Sequence, residues 1–179
     1  MPEQFPALSL ILGGARSGKS GFAERLVCRA DAPKTYIATA QAFDDEMRAR
    51  IAQHRQDRGD SWHTLEAPLD LVAALEQVTS GVVLVDCLTL WLSNHMLAEN
   101  DMDAAVSALL STLSAMPVPV VCVSNEVGMG LVPDTPLGRR FRDAQGALNR
   151  KLAARADLAV FVAAGLPVVL KGTLPEGLT

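Results

Sequence analysis

The chain has 179 residues, 49% of them hydrophobic, which is enough for one domain with a core of its own and calls for no second domain. A net charge of −4, no basic run and only 4% aromatic residues leave little for phosphate neutralisation or base stacking, so composition argues against a nucleic-acid surface and for a small ligand. Cys28, Cys87 and Cys122 are odd in number, far apart and set in apolar sequence, which argues against a disulfide framework or metal knuckle and reads as three reduced core thiols.

The chain starts MPEQFPALSL, with no basic region ahead of a long apolar run, and no segment nears the roughly 18 consecutive apolar residues of a membrane span, so a cytoplasmic protein is expected. Leu8 to Leu12 reads as a buried strand. It runs directly into Gly13-Gly14-Ala15-Arg16-Ser17-Gly18-Lys19-Ser20, which matches G-x-x-x-x-G-K-[ST], a phosphate-binding loop. Glycines let the backbone turn with its N–H groups inward, and the helix starting near Lys19 adds the positive end of its dipole. Lys19 would reach the β- and γ-phosphates and the Ser20 hydroxyl would ligate Mg²⁺.

That helix runs to about Arg29, and Asp31-Ala32-Pro33 breaks the chain before a short strand, Thr35 to Ala38, and a polar turn, Thr39 to Phe43. Asp44-Asp45-Glu46 opens a helix to about Arg58, where the acids complement the dipole. Arg50, His54 and Arg58 recur every four residues as a cationic ridge along it, a reason for the histidine to sit near phosphates, although most lone helical histidines are structural. Trp62 to Glu66 reads as a short extended piece, followed by a helix from about Leu69 to Val78.

Gly81 to Asp86 is continuously apolar until its final acid, as in a strand buried on both faces of a parallel sheet. In phosphate-loop enzymes such an acid holds Mg²⁺, so Asp86 joins Ser20 as a metal candidate; the alternative is a cap for the helix from Leu88 to Leu97. Trp91 on that helix reads as core, and His63 and His95 as structural. An amphipathic helix follows from about Asp103 to Met116, then a buried strand, Pro119 to Ser124. The loop Asn125 to Pro133 leaves the carboxyl end of that strand, where ligand crevices of open α/β sheets lie.

Pro136 to about Ala156 is a long helix with an apolar stripe of Leu137, Phe141, Ala144, Leu148 and Leu152 and a solvated face carrying Arg139, Arg140, Arg142, Arg150 and Lys151. Asp157 to Ala163 closes the sheet, Val168 to Leu170 offers an edge strand, and the end after Gly165 reads as irregular. No extended charged or exposed apolar surface suited to a macromolecular partner is expected. The alternation specifies a single-domain, three-layer α/β fold of the P-loop nucleotide-hydrolase type with a mostly parallel central sheet. Residues alone support a nucleotide-dependent phosphoryl-transfer enzyme; a P-loop kinase of some other small metabolite and a nucleotide-driven switch or assembly ATPase stay open.

Three stretches go further: GGARSGKS at Gly13; YIATAQAFDDEMRARIAQHRQDRGDSWHTLEAP from Tyr36 to Pro68; and SNEVGMGLVP at Ser124 followed by FRDAQGALNRKLA at Phe141. In this order the chain resembles the bifunctional adenosylcobinamide kinase / adenosylcobinamide-phosphate guanylyltransferase family of cobalamin biosynthesis, over nearly its whole length. The middle segment discriminates, because phosphate loops are widespread whereas IATAQ, DDEM, R-I-x-x-H-R and W-x-T-L-E together are not. The resemblance implies that His54 is guanylylated during transfer. It also implies GTP contacts from Gly13 to Ser20, from Ala38, Thr39 and Ala40, from Arg55, Gln56, Asp57 and Arg58, and from Glu66 and Asp86. ATP or GTP would be phosphoryl donor, Mg²⁺ the metal, adenosylcobinamide and its phosphate the acceptors, and a homotrimer the assembly.

Overall fold

The computed structural model of the protein describes residues 5–41 and 61–178. Its strands are β1 (Leu8–Gly13), β2 (Lys34–Ala38), β3 (Trp62–Glu66), β4 (Val82–Asp86), β5 (Val120–Asn125), β6 (Leu158–Ala163) and β7 (Leu166–Lys171). Its helices are α1 (Lys19–Val27), α2 (Leu71–Glu76), α3 (Leu88–Leu97), α4 (Met102–Ala115) and α5 (Pro136–Arg155). The seven strands form one sheet in the order β3-β2-β4-β5-β1-β6-β7. All pairings are parallel except β6 with β7.

Period-two alternation along the central strands sorts their side chains into two cores. Leu10, Leu12, Val83, Val85, Val120 and Cys122 face one side, where Leu75, Leu88, Trp91, Leu109, Leu148 and Leu152 from α2 to α5 cover them. Ile11, Val82, Leu84, Val121, Val123, Val160 and Val162 face the other, against Phe22, Leu26 and Val27 of α1. Helices on both faces of a mostly parallel sheet make the three-layer α/β fold that the strand–helix alternation specified. Parallel strands buried on both faces also explain why β1, β4 and β5 read as unbroken apolar runs.

The differences from the sequence reading have local causes. The edge strand offered at Val168 to Leu170 is present as the longer, antiparallel β7, which closes the sheet beyond β6, so the chain directly after Gly165 is regular and not irregular as expected; a tight turn with Ala164 and Gly165 both at positive φ joins the two strands. Trp62–Glu66 is a full strand in register with β2. α2 is shorter than predicted because the Leu69 carbonyl accepts the Trp91 indole N–H, and Val78 ends the element by bonding back three residues to Leu75. α4 starts one residue early because the Asp101 carboxylate accepts from Ala104 N–H at 3.0 Å and caps it.

Two expectations fail. Cys28 sits at the end of α1 and is exposed; Cys87 and Cys122 are the buried thiols. Burial pushes Cys122 up to about 12, and burial together with the neighbouring Asp86 charge pushes Cys87 up to about 11. The surface also carries exposed apolar side chains. Leu166, Val168, Val169 and Leu170 stand on β7, and Met129, Leu131 and Val132 project from the loop after β5, with Leu97 and Leu137 also exposed. Periodicity could not reveal them, because edge strands and loops expose residues that buried strands of the same composition hide.

Candidate active site

β1 ends in Gly13, whose position admits no side chain: a Cβ would lie 2.6 Å from the Val162 carbonyl and against Ser17 Oγ. Gly18 takes φ 92° and Arg16 φ 56°, which bend the loop back over the start of α1. The first helical bond is from Phe22 N–H to Gly18 O, so the N–H groups of the preceding first turn make no helical bond to a carbonyl four residues earlier. They converge with the positive end of the helix dipole on the loop, an anion cradle built from backbone. Lys19 Nζ lies across this loop and donates to Gly14 O at 3.1 Å.

The loop is tied down from two sides. Gly165 N–H in the β6–β7 turn donates to Ser17 O at 2.8 Å, and Glu126 N–H after β5 donates to Gly13 O at 3.1 Å. These bonds engage carbonyl oxygens on the outside of the loop. Ser17 Oγ is buried beneath it without a partner among the described residues.

Asp86 stands at the carboxyl end of β4, half-buried, opposite Ala38 of β2, and Ala38 in turn lies opposite Glu66 of β3. Ala38, Thr39, Ala40, Glu66 and Asp86 therefore share the carboxyl edge of the sheet with the loop from Gly13 to Ser20. Asp86 does not cap α3, whose N-cap residue is Cys87 with no side-chain cap bond. A Ser20 hydroxyl and an Asp86 carboxylate are hard oxygen donors suited to Mg²⁺, which takes few protein ligands and completes its shell with phosphates and water. Among the described residues no cluster of three His, Cys, Asp or Glu could hold a metal by itself.

Thr39 is fully buried, and its hydroxyl donates to Cys87 O at 2.7 Å and accepts from Cys87 N–H at 2.8 Å. What its side chain supplies is position: it clamps the backbone that follows Asp86, and Thr39 N–H bonds Asp86 O at 3.3 Å. The peptide between Asp86 and Cys87 is cis. Asn94 of α3 links this clamp to the end of β3, donating to Thr39 O and Pro68 O, each at 2.9 Å.

Sequence reasoning did not single out Asn94, nor Thr89, Gln145 and Asn149, which tie the end of β5 to α3 and α5. Their signal is a polar residue on an otherwise apolar helical stripe: Gln145 lies four residues after Phe141 and four before Asn149, and both amides are buried. Of the cations assigned to a solvated face, Arg139 is half-buried and donates to Pro133 O and Asp134 O, securing the loop ahead of α5. Trp91 is core, as read, and His95 is structural: Nε2 reaches Leu69 O at 3.1 Å and Nδ1 reaches the Asn100 amide at 3.0 Å. His63 is exposed. His54, Arg50, Arg55, Gln56, Asp57 and Arg58 lie outside the described residues.

A family model described as cobinamide kinase / cobinamide phosphate guanyltransferase matches residues 9–170. The chain belongs to this family. Bifunctional adenosylcobalamin biosynthesis protein CobP of Pseudomonas aeruginosa is 49% identical over 167 residues, covering 91% of this chain and 96% of that one. Bifunctional adenosylcobalamin biosynthesis protein CobU of Salmonella typhimurium is 40% identical over 180 residues, covering 90% and 98%. Among solved structures, the RadB recombinase superposes with a TM-score of 0.54 at 16% identity, covering 96% of this chain and 84% of that one. The flagellar accessory protein FlaH of Methanocaldococcus jannaschii gives 0.53 at 12%, covering 95% and 82%. These two likenesses concern the fold alone. Membership of the cobinamide kinase / guanyltransferase family makes the chain an enzyme of cobalamin biosynthesis that binds nucleotides.

Proposed function

We propose that this enzyme phosphorylates adenosylcobinamide with ATP or GTP and then transfers GMP from GTP to adenosylcobinamide phosphate through a guanylylated His54, giving adenosylcobinamide-GDP. The observation that carries the reading is the shared carboxyl edge of β1, β2, β3 and β4, where a phosphate-binding loop faces Asp86 in a chain of this family.

In the first reaction the N–H groups of the loop and Lys19 hold the β- and γ-phosphates, and Ser20 and Asp86 are the residues that would hold Mg²⁺. Bound there, Mg²⁺ would neutralise charge that develops on the bridging oxygens. The aminopropanol hydroxyl of the acceptor attacks the γ-phosphorus, its proton leaves, and the bond to the nucleoside diphosphate breaks. In the second reaction a neutral imidazole nitrogen of His54 attacks the α-phosphorus of GTP, and pyrophosphate departs with its charge held by Lys19 and the loop. The phosphate of the acceptor then displaces histidine from the GMP phosphorus. Ala38, Ala40, Arg55, Gln56, Asp57, Arg58 and Glu66 are proposed to contact the nucleotide, with Thr39, whose polar groups are spent within the protein, holding the backbone between Ala38 and Ala40. Splitting the displacement in two lets one bound nucleotide serve a large acceptor.

Among the described residues no helix is long and apolar enough to cross a membrane. We place the enzyme in the cytoplasm, where its nucleotide donors are made, and propose a homotrimer, for which light scattering would give about three times the 19.0 kDa chain mass. The test of the function is product analysis. Adenosylcobinamide with γ-labelled ATP or GTP is expected to yield labelled adenosylcobinamide phosphate, and that product with unlabelled GTP to yield adenosylcobinamide-GDP and pyrophosphate. Label transfer that ignores the corrinoid acceptor would overturn the reading.

A further inference from the structure

The carboxyl end of β5 lies between the phosphate loop of β1 and Asp86 of β4, and its last residue, Asn125, is opposite Gly13, the first residue of the loop. Val123 is the partner of Asp86 on the other side, so Asn125 stands two residues, roughly 7 Å, further along the same edge. No motif covers it.

The backbone at Asn125 is held from three directions. Its N–H donates to Thr89 Oγ1 of α3 at 2.7 Å, and its carbonyl accepts from Asn149 Nδ2 of α5 at 3.0 Å. The next N–H, from Glu126, donates to Gly13 O. Behind these contacts is a buried polar group. Ser124 Oγ donates to Asn149 Oδ1 at 2.7 Å, while Gln145 Nε2 donates to Ser124 Oγ at 2.9 Å and to Asn149 Oδ1 at 3.0 Å. Burying such groups is costly unless they are bonded; Thr89 and Asn149 bond the Asn125 backbone directly, and Ser124 and Gln145 hold Asn149 in place, with Gln145 Oε1 left without a partner among the described residues. The Asn125 side chain takes no part in these bonds: its Oδ1 is buried without a partner, and no Nδ2 bond to the described residues is made. The backbone that carries this amide is firmly held between a phosphate cradle and a candidate magnesium carboxylate, and its Nδ2, bonded to no described residue, is a donor that can serve an anionic phosphoryl oxygen.

We propose that Asn125 is a catalytic residue of the phosphoryl-transfer reaction, donating from Nδ2 to the γ-phosphoryl group as it passes to the acceptor. This rests on the reading that the loop from Gly13 to Ser20 holds the triphosphate. The assignment predicts discrimination by the terminal phosphate, which a merely structural role would not produce.

The test compares wild type with Asn125→Ala and Asn125→Asp. Mg²⁺-dependent binding of GDP and of a non-hydrolysable GTP analogue is measured by calorimetry, with kcat and KM for γ-phosphoryl transfer to adenosylcobinamide. Both variants should bind GDP within about twofold of wild type, bind the analogue about tenfold more weakly, and lose on the order of 10²-fold in kcat. Asn125→Asp, which keeps the shape and adds a repelling charge, guards against a packing defect in the alanine variant. Equal weakening of GDP and analogue, or an unchanged kcat, overturns the proposal for Asn125. Failure of wild type to bind either nucleotide overturns instead the loop reading beneath it.

Discussion

Thr39→Val tests how the site is held. The substitution keeps shape and volume but removes the hydroxyl that bonds both backbone groups of Cys87. The Cys87 carbonyl keeps a second partner, the Trp91 N–H at 3.2 Å, so its loss is one bond, about 1 kcal/mol. The Cys87 N–H has no second acceptor among the described residues, and leaving it buried and unpaired costs about 1–3 kcal/mol. The total, about 2–4 kcal/mol, corresponds to a fall in melting temperature of roughly 5–15 °C for a chain of this size. Urea unfolding followed by circular dichroism should show the loss at unchanged m-value. Because the clamp fixes the residue after Asp86, the Mg²⁺-dependent part of GTP affinity should fall more than the Mg²⁺-independent part. Thr39→Ser, which keeps the hydroxyl, should recover most of both. A Thr39→Val protein within about 0.5 kcal/mol of wild type, less than the worth of one hydrogen bond, would refute the clamp.

Gly13→Ala should abolish nucleotide binding in a filter or calorimetric assay, since a methyl group 2.6 Å from the Val162 carbonyl must push the loop off β6; undiminished binding would contradict the packing described. With a thiol-reactive dye at neutral pH, Cys28 should react quickly in the native protein, and Cys87 and Cys122 only after denaturant is added. Both buried thiols have pKa values above the ordinary 9.0, so the folded state holds their protons more tightly than the unfolded chain. The stability this provides is complete below pH 9 and falls as pH rises toward 11 and 12, by up to about 1.4 kcal/mol per pH unit for each thiol. Cys122→Ala should therefore lose less stability than wild type between pH 9 and 11, as judged by urea midpoints.

How much could be read before the fold was known follows from the range of each interaction. The strand, loop and helix from Leu8 to Ser20 are local in sequence, and the glycines the motif requires sit where the backbone turns at positive φ or meets β6 too closely for a side chain, so motif and geometry agree. The place of Asp86 at the carboxyl end of β4 was legible because the apolar run before it reads as a buried strand that stops at the acid. Thr39 looked like a ligand-facing turn residue, yet its hydroxyl is spent on Cys87, 48 positions away, a pairing that no periodicity reports. Likewise Gln145 and Asn149 sit on a helix that reads as amphipathic, and only the placement of β5 beside α5 shows why two amides share its buried stripe. The β6–β7 turn was unreadable as part of the site because Gly165 reaches Ser17 across nearly the whole length of the chain. The His54 segment is the reverse case, legible through family resemblance and outside the described residues.

The central claim is that one nucleotide site performs both γ-phosphoryl and GMP transfer, the second through histidine. Its most direct test is incubation with Mg²⁺ and GTP labelled at either the α- or the γ-phosphate, in wild type and in His54→Ala. Wild type should retain α-label alone, in an acid-labile, base-stable bond that is absent from His54→Ala. Absence of α-label from wild type, or its persistence in His54→Ala, would contradict the claim.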